Sequence, residues 1–77
     1  MSLVVLQVPF ERRVDGSWVV NVRHGEDRHF RTRVAGLAFA VEEARRLSRR
    51  DVPAIVSVEG ADGHWRVFDT GMKHFAV

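Results

Sequence analysis

Arginine is the side chain with the most evident chemistry in this 77-residue chain, because eleven of the twelve basic residues are arginines. Seven of them lie in or just before a predicted helix: Arg28, Arg31, Arg33, Arg45, Arg46, Arg49 and Arg50. A guanidinium is a planar fork that matches a phosphate group, so this pattern is compatible with contact to a nucleic-acid backbone. The alternative is a solvated helix face, since Glu42 and Glu43 can pair with arginines three or four positions later. We favour this alternative.

Residue types that serve catalysis or metal binding are present without a spacing that would use them. None of the serines stands in a Gly-x-Ser-x-Gly elbow, and no glycine-rich phosphate loop occurs. His24 and His29 flank a predicted turn, but their spacing fits no common zinc pattern. There is no cysteine, which removes disulfides and thiolate chemistry. We therefore predict a protein that is not an enzyme and has no catalytic residues, no cofactor and no metal.

Four apolar side chains are predicted to contact a partner. Phe39 lies on the polar side of the predicted helix, while Val19, Ile55 and Phe68 are assigned to the sheet face that one helix would leave uncovered. A second copy of the chain is a natural cover for such a face. The two copies would join through this face, through the first strand as an edge, or by exchange of an element. The expected consequence is a homodimer that Phe39→Ala weakens without lowering the stability of the monomer much.

The bulk properties indicate one small domain spanning 1–77. Twelve basic and ten acidic residues give a net charge of +2, which is modest for a dedicated nucleic-acid binder. No apolar run reaches the roughly 18 residues of a membrane span, and no basic segment precedes an apolar run as in a secretory signal. A small secreted domain usually carries disulfides, so the expected location is the cytoplasm and no membrane contact is predicted.

The elements that must position these residues follow from hydrophobic periodicity. Strands are predicted at 3–8, 17–23, 28–31, 54–59 and 64–69, with a helix from the N-cap Thr32 to about Arg50 and a loose tail at 70–77. The predicted fold is α+β in the order ββ(β)αββ, an antiparallel sheet with one helix on one face. Pro9 weakens pairing or places the first strand at an edge. Trp18 and Trp65 are assigned to the core beneath the helix.

Four short segments give the chain a recognisable pattern of turns, helix cap and small-residue ridge: Gly16-Ser17-Trp18-Val19-Val20, Thr32 with Gly36, Ala40 and Ala44, Val56-Ser57-Val58, and Gly60-Ala61-Asp62-Gly63. This pattern resembles a family of short bacterial proteins of unknown function, of the type of domain-of-unknown-function family 2188. The resemblance covers roughly residues 4–69. The chain departs from the family in its arginine content and in Gly36, where the family prefers alanine. The shared motifs are structural, so the resemblance implies the fold and no activity.

Two functions from different classes follow from these observations. The first is a non-enzymatic homodimeric protein-interaction module in the cytoplasm, with a protein partner that the sequence does not identify. The second is a nucleic-acid-binding protein that uses the arginine-rich helix.

Overall fold

The structure, a computed structural model, describes residues 3–22 and 26–68. Its elements are β1 (Val4–Val8), β2 (Trp18–Val22), β3 (Glu26–Phe30), α1 (Arg33–Arg49), β4 (Ala54–Glu59) and β5 (Trp65–Phe68). One helix therefore packs on a five-stranded sheet, which confirms the α+β class and the predicted order of elements. The predicted tail at 70–77 lies outside the described residues. No helix in the described part of the chain is long and apolar enough to cross a membrane.

The strands lie in the order β3-β2-β1-β4-β5. Three neighbouring pairs are antiparallel as predicted, but the central pair of β1 and β4 is parallel, with Val4 opposite Ala54 and Val8 opposite Val58. A fully antiparallel sheet was therefore the wrong expectation for this pair, and β1 lies at the centre of the sheet, not at its edge. The physical reason is the helical crossover: α1 returns the chain across the sheet, so β4 runs in the direction of β1. Pro9 follows the last paired residue of β1, so it interrupts no ladder.

The core lies between α1 and one face of the sheet. Its most deeply buried side chains come from the central strands and the helix: Leu6, Val8, Val20, Ala40, Ala44, Ala54 and Val56. The predicted ridge of small residues is confirmed, because Gly36, Ala40 and Ala44 are the buried residues of α1. A Cβ atom added at Gly36 would lie only 3.3 Å from Cγ2 of Val20, so glycine allows the helix to approach β2 closely.

Both ends of the helix are closed by local hydrogen bonds. The predicted N-cap is confirmed: Thr32 has extended backbone angles, and its Oγ1 accepts a hydrogen bond of 3.1 Å from the N–H of Ala35. At the other end the N–H groups of Arg50 and Val52 donate to the carbonyl of Leu47 at 3.0 and 2.9 Å. Asp51 between them adopts a left-handed φ of 61°, where glycine is the usual residue.

The two tryptophans differ from each other in environment. Trp18 shares the helix side of the sheet with Val20, is half-buried, and meets Phe10 edge-on at 5.6 Å between ring centroids. In the β4–β5 pair, Val56 faces Phe68. Facing residues of neighbouring strands point to the same side, so Phe68 lies on the helix side and Trp65 on the opposite side. The prediction that Trp65 is a core residue and Phe68 a residue of the uncovered face is therefore wrong.

Candidate interaction surfaces

Two of the helix arginines are engaged by carboxylates of the same helix. Arg46 donates from Nε to Oε1 of Glu43 at 3.1 Å and pairs with it through Nη2 as well. This hydrogen bond holds the pKa of the Glu43 carboxyl below its ordinary value. Arg45 lies 3.9 Å from Glu42, a looser pair between exposed side chains. The pairing predicted from the i+3 spacing is thus present.

Arg33 is a clamp between three parts of the fold. Its Nη2 donates to the carbonyl oxygen of Glu59 at 2.7 Å, and its Nη1 donates to the carbonyl of Pro9 at 3.4 Å. The same guanidinium lies over the rings of Phe10 and Trp18, at 4.5 and 5.7 Å from their centroids. The N–H donors and the planar face of the Arg33 guanidinium are therefore used within the protein. Arg33 is thus not available for the phosphate contact that the sequence suggested.

Arg28 is likewise engaged, because its guanidinium lies 4.8 Å from the centroid of Phe39. Among the described residues, three of the seven nominated arginines have no ion pair and no ring contact: Arg31, Arg49 and Arg50. Arg31 precedes the helix and the other two end it, and a 17-residue helix is about 25 Å long. The seven arginines therefore do not form one continuous surface.

The predicted partner contacts lie in different environments. Phe39 is half-buried and packs on Phe30 at 5.2 Å between centroids, so it belongs to the margin of the core. Val19 is on the helix-free side, opposite His29, yet only 2% exposed, which leaves little surface for a partner. Ile55 is half-buried on the same side. Phe68 is exposed, although on the helix side of the edge strand β5.

The two edges of the sheet have opposite character. Glu26, Asp27, Arg28 and His29 give β3 an exposed polar edge of the kind that resists pairing. The other edge, β5, exposes three large apolar side chains: Trp65 (46% exposed), Val67 (61%) and Phe68 (41%). Trp65 and Val67 extend the helix-free face next to Glu59 and Ser57, and Phe68 lies over the rim of the helix side.

Sequence reasoning missed this edge because it assigned the alternation of β5 to the wrong faces. A usable signal was the hairpin loop. Gly60 donates to the carbonyl of His64 at 2.9 Å, and Gly63 has a φ of 82°. A three-residue loop that ends in a left-handed glycine sets Trp65 opposite Glu59, and so fixes the face of every residue in β5.

Asp15, Ser17 and His29 come together near β3, the edge of the sheet opposite β5. Oδ1 of Asp15 accepts from the N–H and the hydroxyl of Ser17 at 2.9 and 2.7 Å, and the Ser17 hydroxyl lies 3.3 Å from Nδ1 of His29. These hydrogen bonds lower the pKa of Asp15. In a catalytic triad the carboxylate orients the histidine, which takes the serine proton. Here the carboxylate of Asp15 accepts hydrogen bonds from Ser17 directly, and this arrangement stabilises a turn and does not orient a histidine.

Comparison with known proteins gives no match: no protein-family model, no curated protein and no solved structure is significantly similar to this chain. Within residues 3–22 and 26–68, no group of three or more histidine and acidic side chains converges as metal ligands would. His24 and His74 lie outside these ranges. The two sheet edges and the arginine side chains are therefore the features from which a function can be inferred.

Proposed function

We propose that this protein is a non-enzymatic homodimeric interaction module whose two copies join through β5. The observation that carries the proposal is the contrast between the polar edge β3 and the apolar edge β5. An exposed apolar edge strand is a template for another strand, and proteins usually cover it or blunt it with charge. We further propose membership of the family of type 2188, on the shared turns and helix ridge, and a cytoplasmic location, on the lack of cysteine.

A second copy is the partner that this edge fits best. Antiparallel pairing of β5 with β5 of another copy is isologous: it uses both exposed edges at once and leaves no new one open. The twofold axis would stand perpendicular to the sheet, and the result would be a continuous ten-stranded sheet with both helices on one side. The polar β3 edges would then form its two outer ends.

The side chains of β5 favour one register of this pairing. Facing residues must point to the same side, so the two registers that use most of β5 centre on Arg66 or on Val67. Centring on Arg66 puts two guanidinium groups opposite each other, which is unfavourable. Centring on Val67 puts the two valines together and sets each Arg66, which pairs with Asp62 of its own chain at 3.0 Å, opposite Phe68 of the other copy, so that no like charges face each other.

The exposed area indicates a dimer of modest affinity. Trp65 and Phe68 together leave roughly 200 Å² accessible in each copy, judged from their exposed fractions and the usual size of aromatic side chains. Burying this area in both copies contributes about 10 kcal/mol before association costs of about 4–15 kcal/mol. At the lowest of these association costs the balance is about 6 kcal/mol in favour of the dimer, which corresponds to a dissociation constant of roughly tens of micromolar.

Sedimentation of the full chain tests the dimer. We expect the protein to be mostly dimeric at roughly several hundred micromolar, and Val67→Asp to make it monomeric, because a carboxylate would face its copy across the axis. Val14→Asp is the matched control, since Val14 is fully exposed on the β1–β2 connection. A wild-type monomer at high concentration, or equal dimerisation of both variants, would contradict the proposal.

The register can be tested separately because the chain contains no cysteine. We expect Val67→Cys to form a disulfide-linked dimer faster than Arg66→Cys under mild oxidation. Faster cross-linking of Arg66→Cys would support the dimer through β5 but with the register centred on Arg66. Absence of cross-linking in both variants, despite a dimer in sedimentation, would place the interface outside β5.

A further inference from the structure

The connection between β1 and β2 folds into a hydrogen-bonded turn at the corner of the sheet beside β3. The N–H of Arg13 donates to the carbonyl of Ser17 at 2.8 Å, and the N–H of Gly16 donates to the carbonyl of Arg13 at 2.8 Å. Asp15 accepts both hydrogen bonds from Ser17, and Gly16 has a φ of 87° that glycine adopts without strain. This turn fixes the backbone from which Arg12 and Arg13 project.

Two clefts open around this turn, and both include Asp15. The first has a volume of about 220 Å³ and is lined by Arg12, Asp15, Gly16, Ser17 and Arg31. The second has a volume of about 410 Å³ and is lined by Arg13, Val14, Asp15 and His29. The first cleft is therefore lined by arginines from two parts of the chain, the β1–β2 turn and the residue that follows β3.

The charge of this corner is not balanced within the described residues. Arg12, Arg13 and Arg31 have no ion pair with a carboxylate there, unlike the arginines at 45, 46 and 66. Arg12 makes one hydrogen bond, from Nε to the carbonyl of Gly16 at 3.2 Å, which leaves its terminal nitrogens unused. The one carboxylate that lines the clefts is Asp15, so the three arginines and this aspartate together give their walls a net charge of +2.

We propose that the smaller cleft binds the phosphate group of a small ligand between Arg12 and Arg31. Each guanidinium is a fork that binds one edge of an oxyanion through two parallel hydrogen bonds. A carboxylate presents one such edge, whereas a tetrahedral phosphate presents several and can engage both forks. The positive charge of Arg13 in the neighbouring cleft adds to the attraction, and Asp15 limits the affinity.

This site is independent of the proposed dimer, because β3 and β5 are opposite edges of the sheet. Of the seven arginines nominated from the sequence, it uses Arg31 alone. Its second guanidinium, Arg12, is brought to it by the turn at Asp15 and Gly16.

Titration of the full chain with inorganic phosphate, against chloride at equal ionic strength, tests the proposal by NMR. We expect saturable shifts of the Nε–H signals of Arg12 and Arg31 and of the Ser17 amide. Arg31→Gln should raise the dissociation constant about tenfold or more, since a charged, bidentate contact is lost. Arg49→Gln is the matched control: it removes the same charge from an exposed arginine at the far end of the helix, and it should leave the constant unchanged.

Two results would overturn the proposal: shifts that do not saturate at these signals, or equal weakening by both variants, which would mean attraction by net charge alone. Parallel titrations with a nucleoside monophosphate and a short single-stranded oligonucleotide identify the source of the phosphate. Tighter binding of the mononucleotide, lost in Arg31→Gln, indicates a nucleotide ligand. Tighter binding of the oligonucleotide with a steep salt dependence, also lost in that variant, indicates a nucleic-acid backbone at the same cleft.

Discussion

Replacing Arg33 by alanine is expected to destabilise the fold more than any other arginine substitution among the described residues. This side chain joins the start of the helix to the ends of β1 and β4 through the carbonyls of Pro9 and Glu59. It also covers the rings of Phe10 and Trp18. Removing it leaves the two carbonyls with fewer partners and opens the aromatic pair to solvent.

The magnitude follows from the contacts. A charge-assisted hydrogen bond as short as 2.7 Å contributes about 1.5–2 kcal/mol, whereas the contact of 3.4 Å contributes little. Two cation–π contacts at a half-buried site add about 1 kcal/mol. The expected loss is about 3 kcal/mol, out of a total stability of roughly 4–12 kcal/mol for a chain of this size.

Urea unfolding followed by tryptophan fluorescence measures this loss, and thermal melts should show a decrease of roughly 10–20 °C in Tm. Arg33→Lys should fall between wild type and alanine, because lysine keeps the charge and loses the planar fork. Arg31→Ala is the control, since this nearby arginine is exposed, and we expect a change within about 0.5 kcal/mol. If Arg33→Ala matched Arg31→Ala, the clamp would not contribute to stability and the reasoning would be refuted.

Three further substitutions test other parts of the structure. Phe39→Ala should lower the free energy of unfolding in urea by about 2–3 kcal/mol and leave the dimer constant unchanged, because the ring packs on Phe30 inside the monomer; unchanged stability would restore it as a partner contact. Asp51→Gly should raise the free energy of unfolding by about 0.5–1 kcal/mol, because φ is 61° there, and a decrease would argue against strain. The pKa of Asp62 is lowered, chiefly by the hydrogen bond from Arg66, so its stabilising effect is complete above the ordinary value of 3.8 and is lost as pH falls through the folded pKa. Below about pH 4, the Tm of Asp62→Asn should therefore fall less steeply with pH than the Tm of the wild type. Parallel plots of Tm against pH would contradict a stabilising role for the Asp62 carboxylate.

Local features of the fold were predictable because each has a local cause. The Thr32 cap needs only a hydroxyl before a helical pattern, and the buried ridge of Gly36, Ala40 and Ala44 needs only their spacing of four. The predicted and observed bounds of β4 are the same. They were predictable because Pro53 and Gly60 flank a run of β-branched residues.

The remaining features depend on contacts between distant parts of the chain. Alternating side chains do not reveal the direction of pairing, so the parallel contact of β1 with β4 was missed. The faces of β5 were reversed because a change of one residue in register exchanges them. The arginines were read as one group by sequence proximity, whereas Arg33 turns to the carbonyl groups of two strand ends, and Arg12 lies across the corner from Arg31.

The parallel pairing at the centre of the sheet also governs when the domain can form during synthesis. Val4 pairs with Ala54, 50 positions later, so the middle strand of the sheet has only β2 as a neighbour until β4 has been made. At about 5–20 residues per second, the exposed side of β1 waits roughly 3–10 s for its partner. During that interval the nascent chain presents an apolar edge without the helix that later covers its core face. Slow translation of the segment between 33 and 54 should therefore favour capture by chaperones or aggregation, while the three-stranded β1–β2–β3 meander is already able to form.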